Sequence, residues 1–206
     1  MNWTGILELC VASILVNNIV LTRLIGVCPL CGTHKKLSDA LGMGLSAIVV
    51  MGVASTLAWV INRHLLLPLN VEYLQTFVFI LVIMSLALIG DMALMKLAPG
   101  VYERAGKYLP ALASNCAVIA VALVSAQANP VTHKPFSLVE AFVNGIATGA
   151  GFTLALVLMS SLQERLEFAD IPRPLKGLPA AFLGAGLLSL AFLGFSGLHL
   201  LPGFGG

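Results

Sequence analysis

Apolar residues run along the chain in six long stretches separated by short polar links, at about 5–30, 39–61, 74–95, 109–127, 138–160 and 177–199. A helix crossing the hydrocarbon core needs roughly 20 such residues. Strand-like alternation is absent, and backbone surrounded by lipid must satisfy its hydrogen bonds within its own segment, so each stretch is expected to be helical. The pattern predicts an all-α, polytopic membrane protein with six transmembrane helices. A single integral membrane domain would fill residues 1–206, with no room for a separate soluble one.

Composition agrees with lipid as the solvent. Of the 206 residues, 59% are hydrophobic and 10% charged, against about 25% charged in soluble domains. A mean hydropathy of +0.99 in 21.6 kDa leaves no soluble alternative, because a chain this small cannot hide so much apolar surface inside a core. The net charge of +2, from 11 basic and 9 acidic residues, is small and scattered, so no nucleic-acid partner is expected.

The basic residues also predict an orientation, because Lys and Arg accumulate in cytoplasmic loops. Arg23, Lys35, Lys36, Lys96, Arg104, Lys107, Arg165, Arg173 and Lys176 fall in the first, third and fifth links, and only Arg63 and Lys134 in the second and fourth. Both termini are therefore expected outside, periplasmic in a Gram-negative cell. No Lys or Arg precedes Arg23, so the first stretch lacks the basic flank of a cleaved signal peptide and is expected to remain in the mature protein.

Six helices divided into two sets of three give halves of opposite orientation, the arrangement of inverted repeats. Weak internal similarity supports halves of about 1–98 and 99–206. Leu15-Val16-Asn17-Asn18-Ile19-Val20-Leu21 is followed by Gly42-Met43-Gly44-Leu45, and Leu112-Ala113-Ser114-Asn115-Cys116-Ala117-Val118 by Gly149-Ala150-Gly151-Phe152. Asparagine is costly in lipid unless it bonds across a helix contact or lines a cavity. Asn17, Asn18 and Asn115 are thus expected to face the interior. Gly145 and Gly149 form a G-x-x-x-G, which suits close helix packing.

Candidate chemistry gathers at two places. In Leu24-Ile25-Gly26-Val27-Cys28-Pro29-Leu30-Cys31-Gly32, glycine and proline end an apolar run beside a thiol; in Leu109-Pro110-Ala111-Leu112-Ala113-Ser114-Asn115-Cys116 a second thiol follows a second proline. Proline breaks a helix, and irregular backbone at membrane depth survives only where protein or a cavity covers it. In the expected topology Cys28 and Cys116 share the cytoplasmic half. Two thiolates are half of the four-cysteine set of a [2Fe–2S] cluster, and a partner chain would supply the rest. As small buried hydrophobes the same cysteines would be inert. Cys28 and Cys31 also form a lone C-x-x-C without a second metal-binding pair, and Cys10 reads as packing.

Asp91 lies about a turn from the cytoplasmic end of the third helix and is a candidate for the ion path, although Lys96 could pair with it. Phosphate-binding, dinucleotide, zinc-protease and nucleophile-elbow motifs are missing from the sequence, which argues against self-contained nucleotide or hydrolytic chemistry. A secondary transporter built on inverted repeats and a scaffold without a redox centre remain alternatives.

The residues also carry a resemblance. Leu15–Leu21, Gly26-Val27-Cys28-Pro29, Lys35-Lys36-Leu37, Gly42–Leu45, Phe79-Ile80-Leu81-Val82-Ile83, Leu109-Pro110, Asn115–Val118, Arg165-Leu166 and Ser189–Gly197 closely resemble, in order, the A-type subunits of the Rnf (also called Rsx) electron-transport complexes. The E-type subunit of the Na-translocating NADH:quinone reductase is homologous to these subunits and similar enough to be confused with them. The resemblance implies a bacterial inner-membrane subunit that pairs with a homologous subunit of opposite orientation and shares a [2Fe–2S] cluster with it, Cys28 and Cys116 being this chain's ligands. It also implies further Rnf subunits carrying flavins and other iron–sulfur clusters, and electron transfer between ferredoxin and NAD coupled to Na⁺ or H⁺ translocation. Cys31 departs from the family pattern.

Overall fold

The computed structural model describes residues 3–23, 25–26, 37–69, 74–97, 106–108, 112, 115–126, 136–168 and 177–196. The elements are α1 (Trp3–Val11), extended by a π-helical turn (Ala12–Val16); α2 (Leu37–Ile61), extended by a second π-helical turn (Asn62–Leu66) and the turn Leu67–Leu69; and α3 (Gln75–Leu97). A 3₁₀ turn (Gly106–Tyr108), α4 (Cys116–Ala126), α5 (Leu138–Phe168) and α6 (Leu178–Ser196) follow. Among the described residues there is no strand. Asp39–Leu66, Gln75–Met92 and Leu138–Leu166 are long and apolar enough to cross a membrane; Gly5–Val16, Cys116–Ala126 and Pro179–Gly194 are shorter apolar helices.

Three boundaries differ from the expectation, each for a physical reason. The first helix stops at Val16 rather than near residue 30, because Asn18 offers the backbone other partners. The fourth stretch is interrupted at Asn115, between a helical Leu112 and the start of α4 at Cys116, with Asn115 Oδ1 accepting a hydrogen bond from Ala117 N–H at 3.0 Å as an N-cap does. α5 continues through Gln163-Glu164-Arg165 to Phe168, a stretch expected to be loop. These residues are good helix formers, and a helix of 31 residues reaches about 46 Å, beyond the ~30 Å apolar core. At its other end Glu140 Oε2 accepts from Ser137 N–H at 2.9 Å, the reciprocal half of a capping box. That contact gives Glu140 a local role at the start of α5.

α2 and α5 form the central pair. Gly44 meets Thr153, Ile48 meets Gly149, Met51 and Ser55 meet Gly145, and Trp59 Nε1–H donates to Phe136 O at 2.6 Å, so the two helices run antiparallel in one register. The expected G-x-x-x-G is the point of closest approach. A Cβ on Gly149 would stand 2.7 Å from Ile48 Cα, and one on Gly145 would stand 2.8 Å from Met51 O. Without a hydrophobic force between helices in lipid, such close contact is what holds them.

The shorter helices flank this pair. α1 packs on α5 and α4 on α2; α3 packs on α4, and α6 on α5 and the π-helical turn after α1. Ser13 bonds Asn144 while Asn18 bonds Gly151, so α1 runs parallel to α5. Tyr108 lies on Gly42 at one end and Ser125 on Ser55 further along, so α4 runs parallel to α2.

One polar chain joins four helices. Ser13 Oγ donates to Asn144 Oδ1 at 2.9 Å, Asn144 Nδ2 donates to Ser125 Oγ at 3.3 Å, Ser125 and Ser55 share a bond of 2.6 Å, and Ser55 Oγ donates to Ala141 O. All four side chains are buried. A saturated buried network of this kind fixes register, because any slip strands several polar groups at once.

Gly149→Val is expected to force α2 and α5 apart, since the obstructing atom is backbone. Overpacking costs about 1–3 kcal/mol, and a clear drop in the thermal aggregation midpoint of the detergent-solubilised protein would register it; an unchanged midpoint would refute the close approach.

Candidate functional site

The site begins where α1 stops. Asn17 N–H bonds Ala12 O at 2.6 Å, the last bond of the π-helical turn, and Asn18 then replaces the missing helix. Its Oδ1 accepts from Val20 N–H at 3.1 Å and Leu21 N–H at 3.3 Å, while its Nδ2 donates to Ile14 O and to Gly151 O, each at 3.0 Å. Asn18 is 1% exposed, and its amide is fully engaged in holding a broken helix against α5. Asn17 is half-buried beside it.

Beyond the break the chain turns at Gly26, whose φ of +87° is a conformation that side-chain-bearing residues rarely adopt. Gly26 is buried against α4. A Cβ there would stand 2.8 Å from Ala117 Cβ and 3.2 Å from Asn115 Oδ1. From this position Gly26 N–H donates to Cys116 Sγ at 3.1 Å. The two sequence segments expected to carry chemistry are therefore joined through a sulfur.

Cys116 is the first residue of α4, and its side chain is exposed although Asn115 (5%), Ala117 (1%) and Val118 (0%) are buried. A helix N-terminus and a backbone N–H both favour negative charge on the atom they face. Cys28 and Cys31 lie outside the described residues; Cys28 follows Gly26 by two positions. Cys10 is a free, half-buried thiol in α1. Among the described residues no group of three or more His, Cys, Asp or Glu could hold a metal ion.

Asp91 lies in α3, half-buried, with Oδ1 buried and without a hydrogen-bond partner, while Lys96 is exposed. Tyr108 OH donates to Asp39 Oδ1 at 2.8 Å and packs its ring on Gly42, fixing the entry to α4 at the start of α2. Sequence reasoning singled out Gly26 as a helix breaker and missed it as a donor. It also passed over Ser13, Ser55, Ser125 and Asn144, whose signal was polar residues recurring inside apolar runs.

The fold and this site define an all-helical, apolar-helix protein in which a short helix begins at a thiol that irregular backbone reaches. A family model described as Rnf-Nqr subunit, membrane protein, matches residues 6–199, and the chain belongs to that family. It is 42% identical over 190 residues to the A-type subunit of the Na(+)-translocating ferredoxin:NAD(+) oxidoreductase complex of Acetobacterium woodii, covering 92% of this chain and 96% of the relative. It is 43% identical over 192 residues to the A-type subunit of the proton-translocating ferredoxin:NAD(+) oxidoreductase complex of Clostridium ljungdahlii, covering 93% and 96%. The corresponding subunit of the ion-translocating oxidoreductase complex of Serratia proteamaculans is 43% identical over 195 residues, covering 95% and 98%.

Asn18→Leu is expected to destabilise the protein by several kcal/mol, since it strands the two buried N–H groups of Val20 and Leu21 at about 1–3 kcal/mol each. Asn17→Leu should cost much less. Comparing thermal midpoints of the two variants checks this, and equal losses would contradict the bracing role.

Proposed function

We propose that this chain is the A-type membrane subunit of an ion-translocating ferredoxin:NAD⁺ oxidoreductase complex, supplying Cys28 and Cys116 as half of the ligands of an intramembrane [2Fe–2S] cluster. A homologous membrane subunit of opposite orientation supplies the other half, and the remaining subunits carry the flavins and the other iron–sulfur clusters. The subunit is not catalytic alone.

The observation that carries the reading is the Cys116 thiol. It stands exposed among buried neighbours, at a helix N-terminus, and already accepts a backbone N–H from a residue two positions before Cys28. The donor set fits the group: thiolates ligate such clusters, and N–H bonds to their sulfurs belong to the surroundings that set the potential. Gly26 supports the fit, since a Cβ there would strike Ala117 and drive the turn off the sulfur. When bound, the cluster would supply a one-electron relay within the membrane. The chain's own part is to fix Cys116 on α4, orient its sulfur with Gly26 N–H, and shield the turn with Phe152, whose ring lies 3.6 Å from the Gly26 Cβ position. A transporter or a bare scaffold gives that thiol no task.

Six spans in two inverted repeats, with both termini periplasmic in the inner membrane, complete the proposal. The helix pairings support it. Exchanging α1 with α4, α2 with α5 and α3 with α6 maps the α1–α5 contact onto α4–α2 and the α3–α4 contact onto that of α6 with the π-helical turn after α1, and local bonds follow the same exchange. Ser46 Oγ donates to Gly42 O at 3.0 Å and Thr153 Oγ1 to Gly149 O at 2.8 Å; Asn18 and Asn115 each accept from the N–H two residues on. Asp91, with its partnerless buried oxygen, is this chain's candidate for the ion path. Asn17, Asn18 and Asn115 shape the break rather than carry the ion.

In the complex purified through this subunit, Cys28→Ser or Cys116→Ser is expected to remove one reduced-state [2Fe–2S] EPR signal and its iron, and Cys31→Ser to leave both. Full retention of iron and signal in all three variants would end the cluster reading. Asp91→Asn is expected to keep that signal while reducing ion uptake per electron in proteoliposomes; unchanged coupling would remove Asp91 from the path.

A further inference from the structure

Asn18 and Asn115 occupy matching places at the two helix breaks, but their amides are used differently. Asn18 spends every polar atom on backbone, including the bond from Nδ2 to Gly151 O on α5. The matching carbonyl for Asn115 would belong to Gly44 on α2. That face of Gly44 is covered by the Thr153 side chain. Asn115 Oδ1 is committed to Ala117 N–H at 3.0 Å, which also fixes the amide's orientation, since only the oxygen can accept. Nδ2 is buried and has no hydrogen-bond partner, in a residue 5% exposed.

A buried amide nitrogen without a partner costs about 1–3 kcal/mol, and nearly all such groups in folded proteins are satisfied. It belongs to the residue that precedes Cys116 in the chain, and the oxygen of the same amide lies against Gly26, whose N–H already donates to the Cys116 sulfur. We propose that Asn115 Nδ2 is a second donor to the sulfur-bound group held at Cys116, and that it sets the reduction potential of that group. The inference rests on the cluster reading above and adds to it a residue with a defined task. A donor aimed at anionic sulfur stabilises the reduced, more negative state, so it raises the potential. Gly26 N–H and Asn115 Nδ2 together would make a two-donor cradle. The first is built from backbone and cannot be removed without moving the turn. The second is a side chain and can be substituted.

Two variants separate this task from helix capping. Asn115→Ser keeps an oxygen for Ala117 N–H but is too short to extend a donor beyond it; Asn115→Ala removes both. In the purified complex, redox-poised EPR of the signal that Cys116→Ser abolishes is expected to give a lower midpoint in both variants. At fixed ambient potential the reduced-to-oxidised ratio should fall about tenfold, or about 59 mV for a one-electron couple. An unchanged midpoint in Asn115→Ser overturns the proposal and leaves Asn115 a cap, with the cluster reading intact. A native complex in which Cys116→Ser removes no signal overturns the cluster reading and this proposal with it. Should both variants fail to assemble, pulsed EPR of the native complex labelled with side-chain amide ¹⁵N-asparagine decides. A resolved ¹⁵N coupling supports the donor, and its absence overturns it.

Discussion

Everything in this fold follows from how it satisfies backbone polar groups where α1 stops. Inside an apolar domain an N–H or C=O left without a partner is costly, which is why helices rarely end there. Asn18 permits the ending by taking over three of those bonds and adding a fourth to Gly151 O across the helix contact. Once α1 can end at Val16, the chain is free to run irregularly to Gly26 and reach the start of α4. A continuous helix would have carried those residues past Cys116 without meeting it.

The remaining helices keep that break in place. The α2–α5 pair is set by glycines at which no larger residue fits, so its separation has little freedom. Toward one end, Ser13, Ser55, Ser125 and Asn144 lock four helices in register, each donor among them matched to an acceptor. Toward the other, around Cys116, the matching stops: a thiol is exposed and an amide nitrogen is spare. Ser55 lies about 16 Å along α2 from Gly44 by helical rise, so the saturated and unsaturated regions are well separated. A rigid far end and an unfinished near end are what a subunit needs if its site is completed by something outside the chain.

The sequence made the all-helical class and the apolar stretches plain, because hydrophobic runs survive any detail of packing. The two asparagine positions were legible too, since Asn inside an apolar run requires a partner. Their mode of action was not. Nothing local distinguishes an Asn that bridges two continuous helices from one that ends a helix, because the difference lies in Gly151 O, a carbonyl far away in the chain. Proline drew attention to Pro29 and Pro110, which lie outside the described residues; within them the first helix already ends at Val16 and α4 begins at Cys116. Cys116 was found through its spacing, but its Gly26 donor depended on a positive φ that a glycine permits without announcing.

The contrast between the two asparagines bears on why the site sits at α4 rather than at α1. The two asparagines start with the same chemistry, and what separates them is the neighbour across the central pair. Asn18 finds the bare face of Gly151, while Thr153 covers the bare face of Gly44 that Asn115 would otherwise use. Thr153 is held there by its own bond to Gly149 O. One methyl-bearing side chain on α5 therefore leaves the α4 break with a spare donor, and leaves it beside the only described cysteine that is exposed. If the chain supplies half a ligand set, as proposed, it could not hold a cluster at that point alone. On the proposed reading, assembly with the partner is then a condition for the electron relay to exist, so an unassembled chain carries no redox centre to discharge into the membrane.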